Sequence, residues 1–340
     1  MMPKVACFLP PGLFERNKVE IPSGWNFVFT QDHGEKEIIE ACKDADFLMV
    51  TAANPLITAQ IIQNIPSVCL LQVFGTGFDK IDITAAKEVK LPVANTPGQN
   101  ATTVAEFTIG MIIALQRKIM IGNKEVKAGR HREIEQEFIK TGLKEIRGTN
   151  IGLVGLGTIG RQVARLATFM GARVSYYDPY RPDKKIEDEL KVRYCSFTEL
   201  LQNNEVISLH VPLNEDTRWL ISRDELVLMQ PGALLINTAR GEVLDQAALA
   251  EALESGHLGG AAVDNFSPDP PPPDHPLLNL SAAANEKFIA SPHIAGVTAA
   301  SFSRMLEEAL ANIQRVAAGE NPKYVVNGIT SPRMRTNRQS

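Results

Sequence analysis

Cysteine is scarce and scattered: Cys7, Cys42, Cys69 and Cys195 are all there are in 340 residues, and they form no C-x-x-C pair. This spacing argues against a zinc module or a disulfide framework and fits isolated thiols in a reducing compartment, so the expected location is cytoplasmic. Long apolar runs are missing too. The strongest, Phe107 to Leu115, runs into Gln116, Arg117 and Lys118 and is too short to span a bilayer, so no membrane helix is expected. The first residues offer one lysine and a few apolar side chains before Pro10 and Pro11, too little for a secretory signal. An excess of positive charge is also absent, because 35 Lys and Arg stand against 39 Asp and Glu for a net charge of −4. Without a basic field, neither nucleic acid nor anionic lipid is an expected partner.

What the chain does have is an ordinary globular balance, 44% hydrophobic and 22% charged, and enough length for about two domains. Short β-rich runs alternate with helical patterns from the start: Val5 to Leu9, Phe27 to Thr30, Phe47 to Thr51 and Val68 to Phe74 read as strands, with Glu37 to Lys43 and Thr58 to Ile65 as helices between them. Runs such as Phe47-Leu48-Met49-Val50 are apolar throughout rather than alternating, which predicts strands of a buried parallel sheet. A long helical pattern spans about Val104 to Ile119, and the charged stretch Gly122 to Gly148 reads as exposed and connecting. From Asn150 a second alternation begins, with strands at Ile151 to Gly155, Arg173 to Tyr177, Val206 to Val211, Ala233 to Asn237, Gly260 to Val263 and Phe288 to Ala290. The last helix, Thr298 to Ala318, carries Met305, Leu306, Leu310 and Ile313 at helical spacing and by pattern alone fits either domain. The fold class expected is α/β with two doubly wound parallel-sheet domains.

In the second domain the strand Ile151 to Val154 runs into Gly155-Leu156-Gly157-Thr158-Ile159-Gly160 and then into a helix. In that context G-x-G-x-x-G has a mechanism. Gly155 permits the turn, Gly157 leaves room for a pyrophosphate, Gly160 lets helix and strand pack closely, and the helix start offers free N–H groups. Asp178, eighteen residues past Gly160, ends the next strand, where a carboxylate can accept bonds from both hydroxyls of an adenosine ribose. The cofactor expected is therefore NAD. Arg181 keeps NADP as an alternative, since an arginine just past the acid can receive a 2′-phosphate.

Three polar residues stand at the carboxyl ends of late strands, where open α/β sheets place ligands. Arg240 follows Leu234 to Ala239, Asp264 and Asp269 follow Ala261-Ala262-Val263, and His293 follows Phe288 to Pro292. Any one of them has an ordinary structural explanation. Together they supply what hydride transfer at a 2-keto acid needs: a planar fork for the carboxylate, an imidazole that exchanges the carbonyl proton, and an acid that orients the imidazole. His33, His257 and His275 belong to no such set.

The run Phe74-Gly75-Thr76-Gly77-Phe78-Asp79, then Asn95-Thr96-Pro97-Gly98, the glycine loop, Ser208-Leu209-His210-Val211-Pro212, Asn237-Thr238-Ala239-Arg240-Gly241 and Ser291-Pro292-His293-Ile294-Ala295-Gly296 together resemble the D-isomer-specific 2-hydroxyacid dehydrogenases, over about residues 45 to 325. The resemblance implies a Rossmann cofactor domain, residues 103–298, inserted in a flavodoxin-like substrate domain made of 1–102 and 299–330. Apart from the resemblance, the tail 331–340, with three arginines and no apolar pattern, is expected to be disordered. The resemblance also implies a homodimer and a cleft that closes on ligand. Carried over, Arg240 would bind the substrate carboxylate and carbonyl, His293 would be the acid/base, and the acid after the Asp264 strand would pair with His293. Asp264 would hold the nicotinamide carboxamide, and Thr158 and Ile159 would lie against the pyrophosphate. Thr76, His210, Val211, Pro212, Thr238, Ala239 and Gly296 would line the cofactor. Phe74 and the backbone at Gly75 would meet the substrate.

One position departs from the family, which usually has glutamate where this chain has Asp269. The arm is one methylene shorter, so contact with His293 needs a closer backbone or a bridging water. The proline run Pro270 to Pro273 reads as a rigid loop rather than a partner motif. Thr51 to Asn54 and Val73 to Gly75 offer no Lys or Arg for a phosphate, so the expected substrate is small and unphosphorylated, of the glyoxylate, hydroxypyruvate or pyruvate kind. The other reading is a cofactor-sensing binding protein like the family's transcriptional corepressors, with formate or phosphite oxidation a further alternative among enzymes.

Overall fold

Runs of four or five apolar residues between turn signals become the strands of two separate parallel sheets, as burial on both faces requires. The computed structural model describes residues 2–333. The chain divides into two compact units, one reaching to Asn100 and resuming at Val297, the other spanning Ala101–Gly296.

The first unit is built on β1 (Lys4–Cys7), β2 (Asn26–Phe29), β3 (Phe47–Thr51), β4 (Leu70–Phe74) and β5 (Val93–Ala94), in the order β2-β1-β3-β4-β5. This is the flavodoxin-like order. β3 and β4 pair from Phe47↔Leu70 to Thr51↔Phe74, which brings the Ala52 and Gly75 turns to one edge. One sheet face packs Leu48, Val50, Leu71 and Val73 against Ile38, Ile61 and Ile62. The other packs Val5, Cys7, Phe47, Met49 and Leu70 against Met305, Leu306, Leu310 and Ile313. Those four come from the helix Ala299–Ala317, so the last helix belongs to the first unit. Each such side chain contributes about 2 kcal/mol by leaving water. Asn312, on the same helix, donates from Nδ2 to Gln72 Oε1 at 2.7 Å in a buried tether across 240 residues.

The second unit carries β6 (Asn150–Val154), β7 (Arg173–Tyr177), β8 (Val192–Tyr194), β9 (Val206–Leu209), β10 (Leu234–Asn237), β11 (Gly260–Val263) and β12 (Phe288–Ala290). They are all parallel, in the order β12-β11-β10-β9-β6-β7-β8. The order reverses between β6 and β9, which is where a doubly wound sheet opens a crevice at its carboxyl edge.

Three sequence expectations need correction. The charged stretch Gly122 to Gly148, expected to be exposed and connecting, is exposed but is largely helical, holding His131–Thr141 and most of Ile119–Lys127. Their charged faces hide a thin apolar seam in which the Phe138 ring lies against Gly122 and under the Lys118 ammonium at 5.6 Å. The preceding helix ends at Gln116 rather than Ile119, because Lys118 adopts a left-handed backbone (φ 48°). Strands β5 and β8, two and three residues long, are too short to show a pattern. The part of the expected disordered tail from residue 334 onward lies outside the described residues.

All four cysteines are buried and none of them forms a disulfide. Burial pushes the Cys7 and Cys42 thiols up to about 12 and leaves them inert. Among the described residues, no helix is long and apolar enough to cross a membrane, and no group of three or more His, Cys, Asp or Glu is placed to hold a metal ion.

Candidate active site

The glycine loop leaves β6 at the reversal of strand order. Gly155 sits at φ +97°, and a Cβ there would lie 2.8 Å from the His210 carbonyl oxygen at the end of β9. A Cβ on Gly160 would meet the Gly155 carbonyl at 2.3 Å. These two glycines are required by the fold itself. Gly157 is different: a Cβ there would meet nothing within 4 Å. It caps the helix Thr158–Phe169 without a side-chain bond, so the first amides, those of Thr158 and Ile159 among them, begin an uncapped positive end. Open space over a glycine at such a helix end suits a pyrophosphate.

Asp178, just past β7, accepts the Leu156 amide at 2.8 Å on Oδ2 and the Tyr180 amide at 2.9 Å on Oδ1. It therefore braces the glycine loop and keeps lone pairs for ribose hydroxyls. Arg181 faces elsewhere. Its guanidinium forks onto Glu187, Nε to Oε1 at 2.7 Å and Nη2 to Oε2 at 3.0 Å, and lies 4.7 Å over the Tyr194 ring.

Around the same crevice, Val211 Cγ1 would lie 3.0 Å from a Cβ on Gly155, and the Pro212 carbonyl accepts Thr217 Oγ1 at 2.6 Å. Thr238 Oγ1 lies 3.1 Å from Thr108 Oγ1. His210 Nε2 pairs with Ser208 Oγ at 2.9 Å. Burial pushes the His210 imidazole down to about 3, so it is neutral near pH 7 and carries no proton to a substrate.

The three adjacent strands β10, β11 and β12 end in register at Asn237, Val263 and Ala290, and the residues that follow them carry the polar set. Asp264 is 2% exposed. Its Oδ1 accepts Ser291 Oγ at 2.6 Å and the Ile294 amide at 2.9 Å, its Oδ2 accepts the Ala295 amide at 2.8 Å, and its carbonyl accepts the His293 amide at 2.9 Å. Asp264 thus acts first as the anchor of the His293 turn, and a carboxamide would have to use what remains of Oδ2. The anchoring matters because His293 sits at φ 57°, a conformation a non-glycine residue keeps only when its surroundings impose it.

His293 Nδ1 meets Asp269 Oδ2 directly, at 2.7 Å. The shorter acid therefore needs no bridging water. With Nδ1 so engaged, Nε2 is the nitrogen left to exchange a proton. Arg240 donates from Nη1 to the Ala239 carbonyl at 2.8 Å, and Asn237 grips the turn by donating to the Arg240 carbonyl at 2.9 Å and accepting the Ala239 amide at 3.0 Å.

Sequence reasoning did not single out Gln246, Ser291 or Glu187. Gln246 is buried and ties the Arg240 side to the Asp269 side: Nε2 donates to the Asn265 carbonyl at 2.9 Å and Oε1 accepts the Ser267 amide at 3.2 Å. A Cβ on Gly241 would lie 2.1 Å from the Phe266 carbonyl, so the two loops touch backbone to backbone. A glycine right after the arginine was the one available hint. His275 is structural, buried edge-on against Phe266 at 5.4 Å and accepting the Leu277 amide.

In the first unit Gly75 sits at φ +124°, where a Cβ would press on Ala52 Cβ at 3.0 Å. Its amide donates to Thr96 Oγ1 at 3.0 Å and is already used, while Thr76 Oγ1 lies 3.4 Å from Asn100 Oδ1. Phe74 is buried edge-on against Phe302, centroids 5.3 Å apart.

A family model described as D-isomer specific 2-hydroxyacid dehydrogenase, NAD binding domain, matches residues 109–295. The chain belongs to this dehydrogenase family. As a member it is an NAD-dependent oxidoreductase acting on D-2-hydroxy acids, and residues 109–295 are its NAD-binding Rossmann part. It is 36% identical over 293 residues to a glyoxylate reductase of Korarchaeum cryptofilum, covering 86% of each chain. It is 36% identical over 273 residues to a hydroxypyruvate reductase of Thermotoga maritima, covering 79% of this chain and 84% of that one. Among solved structures it is similar to the TT0316 protein of Thermus thermophilus, with TM-score 0.81, 31% identity, and 96% and 100% of the two chains covered.

Proposed function

We propose that this dehydrogenase reduces a small unphosphorylated 2-keto acid, of the glyoxylate or hydroxypyruvate class, to the D-2-hydroxy acid. The observation that carries this reading is the 2.7 Å His293–Asp269 pair set beside the Arg240 turn on the edge formed by β10, β11 and β12. NAD, when bound, supplies the hydride donor and acceptor.

The chain's own residues do the rest. Arg240 takes the substrate carboxylate and draws on the carbonyl with its planar fork. His293 gives a proton from Nε2 to the carbonyl oxygen on reduction and takes it back on oxidation, and Asp269 holds the ring by Nδ1. Gly157, Thr158 and Ile159 are assigned to the pyrophosphate and Asp178 to the ribose. Thr76, His210, Val211, Pro212, Thr238, Ala239, Asp264 and Gly296 are assigned to the rest of the cofactor. In the first unit, Phe74 and the amides next to Gly75 are assigned to the substrate. The absence of Lys and Arg from Thr51 to Asn54 and Val73 to Gly75 supports an unphosphorylated acid. The homodimer implied by the resemblance has support in the exposed Ile119, Met120, Val126 and Ile139 on and beside the two charged helices, and a mass measurement in solution tests it.

The decisive experiment is a panel of 2-keto acids with NADH, read at the reduced-nicotinamide absorbance. Turnover of the smallest acids that disappears in His293→Ala supports the reading. NADH binding with no turnover across the panel overturns it in favour of a cofactor-sensing role.

A further inference from the structure

Arg181 stands three residues past Asp178, at the carboxyl end of β7, where an arginine is well placed to take a ribose 2′-phosphate. In this fold it is committed in another direction. The Glu187 carboxylate on the helix Lys184–Leu190 is 2% exposed and receives both Nε and Nη2 of Arg181. Its Oε1 also accepts the buried Tyr176 hydroxyl at 2.7 Å, and Lys184 Nζ stands 3.7 Å from Oε2. The Tyr176 and Tyr194 rings pack edge to face at 5.5 Å, and Tyr194 offers its own face to the guanidinium. The arginine fork is therefore held on one edge by a fixed carboxylate and on its plane by a ring.

We propose that Glu187 is a specificity-determining residue that detains Arg181 and so keeps this enzyme on NAD rather than NADP. The proposal rests on the reading that the Gly155–Gly160 loop and Asp178 hold the adenosine end of the dinucleotide. Asp178 repels a 2′-phosphate, and Glu187 withholds the cation that would offset this repulsion. Releasing Arg181 would leave a buried carboxylate with the Tyr176 hydroxyl and the Lys184 ammonium at 3.7 Å in place of a two-point fork, so the pair does not open freely for a phosphate. The hydrogen bonds from Arg181 and Tyr176 hold the Glu187 carboxyl down to about 2, which keeps it ionised wherever the enzyme works.

The test is the dissociation constant of NADH and of NADPH, read by nicotinamide fluorescence, in the wild type, Arg181→Ala, Glu187→Gln and the double variant. In the wild type Arg181 is idle toward the cofactor, so Arg181→Ala should leave the NADPH-to-NADH affinity ratio within about twofold. Glu187→Gln should raise that ratio about tenfold, the scale of one charge-assisted bond, and adding Arg181→Ala should cancel the gain. If Glu187→Gln does not fold, Glu187→Asp serves, because its shorter arm cannot span both guanidinium nitrogens and should move the ratio in the same direction. Two results overturn the proposal: NADPH binding lost in Arg181→Ala with NADH binding intact, or an unmoved ratio in a folded Glu187 variant that binds NADH normally. A wild type that binds neither nucleotide would overturn the dinucleotide reading itself, and the proposal with it.

Discussion

His293 Nδ1 lies 2.7 Å from Asp269 Oδ2. The distance is that of a direct charge-assisted hydrogen bond, reached although the acid is one methylene shorter than the family's usual glutamate. The backbone makes up the difference, since the Asn265 and Ser267 backbone is tied to Gln246 and Phe266 rests on Gly241.

Asp269→Asn should therefore lower kcat by about 100-fold with KM for the keto acid little changed, because the imidazole keeps its place but loses the partner that orients its proton. Asp269→Glu should recover only part of the loss, its longer arm overfilling a gap already closed by the backbone. Steady-state kinetics on both variants checks this, and a Glu variant as fast as the wild type would show that the spacing does not matter.

Arg240→Lys keeps the charge and loses the fork. One charge-assisted hydrogen bond fewer to the substrate is worth about 2 kcal/mol, so kcat/KM should fall about 30-fold or more while the NADH dissociation constant stays put. A matching loss of NADH affinity would move Arg240 from the substrate to the cofactor.

Much of this site was legible along the chain because strand ends and loops are local events. β3, β7, β11 and β12 coincide with the expected runs, and Gly155, Asp178, Arg240 and His293 each stand where a strand-to-loop transition puts them. What was not legible depends on direction. Glu187 sits in Lys184-Lys185-Ile186-Glu187-Asp188-Glu189-Leu190, a run that reads as a solvated face, and only the packing of that helix under Tyr176 turns one of its three acids inward. The helices Ile119–Lys127 and His131–Thr141 escaped for a different reason: Ile134 is the one residue of the two that this chain buries, and their abundant Lys, Arg and Glu read as a solvated connection. Asp264 was found, but its work as the clamp of the His293 turn shows only in the amides of Ile294 and Ala295.

The glycines of the phosphate loop separate structure from binding. Gly160→Ala forces a Cβ to within 2.3 Å of the Gly155 carbonyl and should cost about 1–3 kcal/mol of stability, with NADH binding lost alongside. Gly157→Ala meets no neighbour and should melt at the wild-type temperature, yet bind NADH about tenfold more weakly or worse, because its methyl stands where a pyrophosphate would lie. Calorimetry and fluorescence titration on the pair check this, and unimpaired NADH binding by Gly157→Ala would remove the pyrophosphate from that spot.

Two groups, the partly buried His210 and the buried Glu187, give the stability a stepped dependence on acid. Burial holds the His210 imidazole down to about 3 from an ordinary 6.5, so between those values the unfolded chain binds a proton that the folded chain refuses. Its contribution is complete above pH 6.5 and drains away as the pH falls toward 3, at about 1.4 kcal/mol per pH unit once the unfolded imidazole is charged. The Arg181 and Tyr176 hydrogen bonds hold Glu187 at about 2 against an ordinary 4.5, so its share is complete above pH 4.5 and is lost between there and 2. Chemical denaturation followed from pH 7 to pH 3 should show a decline that starts near 6.5 and steepens below 4.5. His210→Asn should flatten the upper part of the curve and Glu187→Gln the lower part. If both variants reproduced the wild-type slope throughout, neither group would be held away from its ordinary titration by the fold.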